Sequence, residues 1–173
     1  MGGGNYAGGI TNNGVFQYAS SANQVLSGVI SGTGSLDKEG AGTLVLTGTN
    51  TYTGTTTVDG GTLAITNADA LGASSAGTTV NGGATLDLRN VTGLAEPITL
   101  NGGTLAVSTG TSSVTAPMTI TGASTMDVDG TELTISNTIS GTGSLDKEGA
   151  GTLVLEAVNT YTCLLYTSDA ADE

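Results

Sequence analysis

Apolar or threonine residues two apart, a glycine-centred turn, then apolar residues two apart again: this order recurs along most of the chain. Five units show it: TTVDGGTLAI (56–65), TTVNGGATLDL (78–88), ITLNGGTLAV (98–107), MTITGASTMDV (118–128) and MDVDGTELTI (126–135). Their second halves supply the pairs Leu63/Ile65, Leu86/Leu88, Leu105/Val107, Met126/Val128 and Leu133/Ile135, and Leu44/Leu46 and Leu153/Leu155 follow the same rule. From Leu44 through Leu63, Leu86 and Leu105 to Met126 the steps are 19, 23, 19 and 21 residues. Alternation of period 2 predicts short strands with one face inward, and its return about every ~20 residues predicts a coiled ribbon of such strands. The fold class that follows is all-β, a parallel β-solenoid with rungs ~4.8 Å apart. All seven pairs are expected in one apolar column, each buried side chain contributing roughly 1.5–3 kcal/mol.

A longer repeat overlies this pattern. Ser31–Thr53, SGTGSLDKEGAGTLVLTGTNTYT, returns 109 residues later at Ser140–Thr162. The copies differ only at Thr47/Glu156, Gly48/Ala157 and Thr49/Val158. In the first copy, Leu36 precedes the charged triplet Asp37-Lys38-Glu39, Gly40 and Gly42 bracket a turn, and Thr43–Leu46 reads as a strand. Residues 48–57 read as a polar loop, with Tyr52 packed over the edge of the core. At Asp59-Gly60-Gly61 the chain must turn sharply. Before the repeat, Gly14–Tyr18 (GVFQY) reads as a first strand or part of a cap, so residues 1–25 form an irregular capping region and 26–162 the repeats. Asn67–Ser74 is the one place for a short helical turn, stopped by Gly72. Leu94–Pro97 and Gly110–Pro117 read as outward excursions, with Pro97 and Pro117 at strand starts, where a missing N–H is tolerated.

Composition narrows the function. In 173 residues there are 29 glycines, too many for an ordinary domain, yet no G-X-Y period that would mean collagen. Three basic residues against 15 acidic ones give a net charge of −12, which argues against nucleic acid as a partner. The opening MGGGNYAGGI has neither a basic start nor an apolar run, so any export signal is expected outside this chain. Cys163–Glu173, CLLYTSDAADE, breaks the pattern and resembles the in-frame translation of a transposase-type sequencing-library adapter. It is therefore set aside as non-native, and with it the one cysteine.

The run Gly32–Leu44, followed by Asn50-Thr51-Tyr52-Thr53-Gly54, Gly60-Gly61-Thr62-Leu63 and Ala70-Leu71-Gly72, resembles the passenger-associated β-strand repeat of bacterial autotransporters. Residues 141–162 resemble it again. Gly54-Thr55, where a second glycine is usual, and Glu156-Ala157-Val158 depart from the family pattern. The resemblance implies a right-handed parallel β-helix, an autotransporter adhesin-like fragment exported through the outer membrane and displayed at or shed from the cell surface. It further implies a C-terminal β-barrel translocator, which this chain lacks, and a role in passenger folding. The partners it suggests are a host surface, extracellular matrix or glycan, or a second copy of the protein.

Candidate chemistry is sparse. Without histidine, Ser-His and Cys-His catalysis and the usual zinc sites have no residues to use. Asp87 and Asp127 each sit between two inward residues and so face outward. With Ala106 on the rung between them they lie ~9.6 Å apart, near the upper end of the ~6.5–9.5 Å of an inverting glycosidase. No aromatic platform or basic partner is evident beside them, which favours solvated surface carboxylates. Asp127-Val128-Asp129-Gly130 lacks the later ligands of a calcium loop, and Gly32–Asp37 lacks the tandem copies of a calcium nonapeptide. Asn90-Val91-Thr92 is a glycosylation sequon of no weight in a bacterial chain. An ice-binding face would need a regular T-x-T ladder at one rung position, and none is evident. No catalytic, cofactor or metal residue is therefore assigned. The expected function is a non-catalytic β-helical stalk and folding template, serving adhesion or self-association. The second reading is a β-helical polysaccharide-active hydrolase or lyase using Asp87 and Asp127.

Overall fold

The computed structural model describes residues 3–161 and 165–167, an all-β parallel solenoid of about eight turns. Its first strands are β1 (Gly4–Tyr6), β2 (Ile10–Thr11), β3 (Val15–Tyr18), β4 (Gln24–Leu26), β5 (Ile30–Ser31), β6 (Ser35–Lys38) and β7 (Thr43–Leu46). The middle turns follow with β8 (Thr56–Val58), β9 (Gly61–Ile65), β10 (Thr78–Asn81), β11 (Ala84–Arg89), β12 (Ile98–Asn101) and β13 (Thr104–Thr109). Then come β14 (Thr111–Val114), β15 (Met118–Ile120), β16 (Ser124–Val128), β17 (Glu132–Ile135), β18 (Ile139–Gly141), β19 (Leu145–Glu148), β20 (Thr152–Leu155) and β21 (Leu165–Thr167). Within residues 1–25, β1 to β3 already enter the sheets. Of the tail set aside as foreign, Leu165–Thr167 pairs with β19 and the rest lies outside the described residues.

Each turn passes through three sides. One is a nine-stranded sheet, β1-β4-β7-β9-β11-β13-β16-β19-β21, and the second a seven-stranded sheet, β18-β15-β12-β10-β8-β6-β3. The third carries β2-β5 at one end and β14-β17-β20 at the other. Between these, less regular backbone keeps up the pairing: Thr51 N–H donates to Ile30 O at 2.8 Å, Ala73 N–H to Tyr52 O at 2.9 Å, and Leu94 bridges Val114. The column Leu44–Leu63–Leu86–Leu105–Met126 stacks residue on residue in the nine-stranded sheet, as the spacing predicts.

The other two pairs do not join that column. Leu133/Ile135 and Leu153/Leu155 stack on each other on the third side. Alternation reports in or out, and this strand lies one corner beyond Met126/Val128. The two predicted excursions are likewise part of the wall. Leu94 and Glu96 are buried, and residues 111–114 form β14 with Ser112 and Val114 inward. Buried Ser112 is satisfied because its Oγ accepts from Val91 N–H and donates to Leu88 O.

Two polar residues are deeper than their chemistry suggests. Tyr52 is fully buried, not at the core edge, with its hydroxyl 2.6 Å from Thr56 Oγ1. Burial raises its pKa, outweighing the Thr56 hydrogen bond. Thr56 and Thr57, read as loop, begin β8. Lys38, the middle of the charged triplet, is the inward end of β6 and 0% exposed, stacked between Tyr18 and Val58. Its amine donates to Gly40 O and to Gly60 O (2.7 Å) and lies 5.7 Å from the centre of the Tyr18 ring. Desolvation lowers its pKa.

The corners explain the glycine content. A Cβ on Gly60 would sit 2.2 Å from Glu39 O, and one on Gly40 2.3 Å from Ser20 O, both backbone atoms of the preceding rung. Asn67–Ser74 folds as a turn with no helix: Asp69 N–H donates to Asn67 Oδ1, and Gly72 takes φ 82°, which a residue with a Cβ resists.

Candidate functional site

The solenoid buries its apolar residues, so any site must be built from the outward side chains of the sheets or from groups trapped inside. Asp87 and Asp127 stand in one outward row, Asp87–Ala106–Asp127, two rungs apart as the alternation predicts. They are not a chemical pair. Asp87 is only 4% exposed and already accepts three hydrogen bonds: Arg89 Nε–H at 2.7 Å, Ser108 N–H at 3.1 Å and Ser108 Oγ–H at 2.9 Å. The basic partner that seemed missing is thus Arg89, and Asp87 is a structural carboxylate rather than a solvated one. Asp127 is partly exposed, its pKa raised by desolvation and then by Asp129, with Lys147 opposing. Asp87, saturated by three donors, is poorly placed for the acid or base role across a glycosidic bond that the second reading gives it.

The remaining candidates fall in ordinary places. Asp127 closes β16 and Asp129 lies in the exposed turn after it. Among the described residues no three His, Cys, Asp or Glu side chains converge as a metal ion requires. In the Gly32–Asp37 run, Gly32 bends at φ 107° and Ser35–Lys38 is β6. Asp37 is pushed up by desolvation, then by Asp59 and Glu39. Asn90 of the sequon holds φ 57° on the surface, and Val91 beside it is buried.

Two features are new. The first is an outward ladder on the seven-stranded sheet, Thr57–Thr79–Thr99–Thr119, one threonine per rung in direct register. Beside it runs a hydrogen-bonded row. Asn81 Nδ2 donates to Asp59 Oδ1 (2.6 Å), Asn101 Nδ2 to Asn81 Oδ1 (2.9 Å) and Thr121 Oγ1 to Asn101 Oδ1 (3.1 Å). It is a single column and not the regular T-x-T ladder of an ice-binding face, since the residue two further on is Asp59, Asn81, Asn101 or Thr121. Its signal was present in the units themselves, since aligning them on Gly60, Gly82, Gly102 and Gly122 puts a threonine three residues earlier every time. A second threonine row, Thr43–Thr62–Thr85–Thr104–Thr125, follows the nine-stranded sheet, but there it borders Asp87 and Asp127.

The second feature is interior. Glu96 is 3% exposed, accepts from Thr78 Oγ1 at 3.1 Å, and is pushed up to about 7 by desolvation, which outweighs the hydrogen bonds from Thr78 and the Gly77 backbone. No sequence signal marks it, because a lone glutamate before a proline reads as surface.

Residues 36–65 and 145–162 match the family described as the passenger-associated-transport-repeat. Over 150 residues, 83% of this chain, the sequence is 38% identical to a protein named adhesin BmaC autotransporter from Brucella suis biovar 1 (strain 1330). The chain spans 4% of the length of that relative. No solved structure matches it.

Proposed function

We propose that this chain, which carries two passenger-associated repeats of bacterial autotransporters, is a non-catalytic stalk segment of a surface-displayed passenger. Over residues 31–53 and 140–161 both repeats fold as lengths of solenoid wall, continuous with the divergent rungs between them, and this carries the reading. The repeats then serve as folding templates and the rungs as a stiff spacer. The adhesin name of the Brucella relative supports display at the cell surface and a role in adhesion.

Self-association is the partner reading the outward faces favour. On a chain of net charge −12, the stretch Thr79–Thr99–Thr119 with Asn81, Asn101 and Thr121 holds no ionised group. Another copy can approach here without opposing carboxylates, and it brings the same ~4.8 Å repeat, so hydroxyls and amides meet in register along the axis. The ladder covers four rungs, ~14 Å along the axis, too short to bury the ~800 Å² per partner of a stable dimer, so association of this chain alone is weak. Sedimentation velocity of the purified chain over a wide concentration range tests it. The average sedimentation coefficient should rise with concentration, and Thr99→Lys with Asn101→Lys should abolish that rise. A parent that stays monomeric throughout, or a double variant that associates like the parent, refutes the face.

A further inference from the structure

Inside the first repeat two polar side chains reach from one rung to the next. Lys38 Nζ donates to Gly40 O of its own rung and to Gly60 O of the following one. Asn50 spans three rungs: its Oδ1 accepts from Ile30 N–H at 2.8 Å, and its Nδ2 donates to Ala70 O at 2.5 Å. Both residues are buried, and both forward contacts end on main-chain carbonyls. The rung they reach carries the rest of the family motif, Gly60-Gly61-Thr62-Leu63 and Ala70-Leu71-Gly72, and is lengthened by the 66–77 turn before β10. It need supply only two carbonyls in the right place.

We infer that this lysine and asparagine are the rung-joining groups of the repeat, and that together they bind the backbone of the following β-rung through its main-chain carbonyls. The inference rests on the folding-template reading above and gives it residues. Several observations bear on it. A buried ammonium and a buried primary amide each need acceptors where water is excluded, and parallel stacking delivers a carbonyl at each corner every turn. The approach is close, since a Cβ on Gly60 would meet Glu39 O, so the carbonyl the lysine uses belongs to a position that must lack a side chain. The second copy repeats the backward half of the device: Asn159 Oδ1 accepts from Ile139 N–H at 2.8 Å, and Lys147 Nζ donates to Gly149 O at 2.5 Å as Lys38 does to Gly40. Lys147 and Asn159 therefore offer the same two donors to a rung stacked on them.

Amide hydrogen exchange on the full chain tests this, using Lys38→Met, Lys38→Arg and Asn50→Asp. Methionine keeps the apolar stem in the Tyr18–Val58 column but removes the donors; arginine keeps donors. Aspartate preserves the acceptor for Ile30 N–H and loses the donor to Ala70. With Lys38→Met and Asn50→Asp, amides of residues 59–77 should exchange at least about ten-fold faster while those of 98–107 keep parent protection. Lys38→Arg should stay close to the parent. Unchanged protection at 59–77, or a loss spread evenly over all rungs, overturns the inference, as does a failure to fold shared by Lys38→Met and Lys38→Arg. Refolding rates separate the two ideas. Variants that lose local protection yet refold at the parent rate leave the joining role standing and remove the folding-template reading.

Discussion

The two copies of the long repeat are almost identical in sequence and do not occupy the same sides of the molecule. In the first, β6 joins the seven-stranded sheet and β7 the nine-stranded one; in the second, the matching β19 joins the nine-stranded sheet and β20 the third side. The register accounts for this. Five turns after Leu44 the column reaches Lys147, 103 residues on, whereas the sequence copy of Leu44 is Leu153, six residues further and past a corner. The repeat therefore encodes a strand, a corner and a strand, without specifying which corner. Its glycines make that possible. Gly149 takes φ 77° where its counterpart Gly40 stays out of the left-handed region, so one sequence turns two different corners. A residue with a Cβ at this position would suit neither, since it would meet Ser20 O in one copy and the Val128 backbone in the other.

Surroundings, more than residue identity, then set what each copy contributes. Leu44 and Leu46 are fully buried, while Leu153 and Leu155 are only partly so. The largest effect is expected in the rungs that join the copies. Leu105→Asp buries an unpaired carboxylate in the main column and should cost more than about 4 kcal/mol, enough to unfold the middle of the chain. A melting curve like that of the parent would refute the core assignment. Next, Leu44→Ala should destabilise by about 2–5 kcal/mol and Leu153→Ala by clearly less, read as shifts in urea midpoint. Equal shifts would mean that both copies hold the structure alike. The smallest effect is a pH dependence that neither copy supplies. Glu96, with a folded pKa of about 7 against 4.5 unfolded, binds its proton more tightly in the folded state. It therefore favours the fold fully below pH 4.5, and this contribution is lost as pH rises through 7. The urea midpoint should fall across that window in the parent, and the Glu96→Gln variant should show less of the fall. Asp37 and Asp127 are shifted in the same direction, and a flat parent profile across the window would contradict the Glu96 shift.

Much of this was legible in the chain. The steps from Leu44 to Met126 place five residues in direct register, because a parallel stack leaves each inward position one turn below the next. What the alternation could not report is the side of the solenoid. The units 118–128 and 126–135 were read as successive turns, yet they share Met126–Val128, and the second unit spans only a corner. Polar residues misled for a different reason. Lys38, Ser112 and Glu96 read as surface by type and Tyr52 as the edge of the core, but each finds a carbonyl or side-chain oxygen partner inside the solenoid. The Asp87–Asp127 spacing was right and its chemistry was not, because the Arg89 contact depends on a side chain curling back two residues along its own strand.

Because every strand pair is parallel, the hydrogen bonds between rungs run along the axis of the stalk. A tensile load along that axis strains these bonds directly. Peeling off one rung surrenders ~5 Å of stalk and releases about 20 residues of chain, roughly 70 Å when drawn out. A solenoid of this build, stiff at low load, lengthens under higher tension in steps many times its rung height, yielding turn by turn.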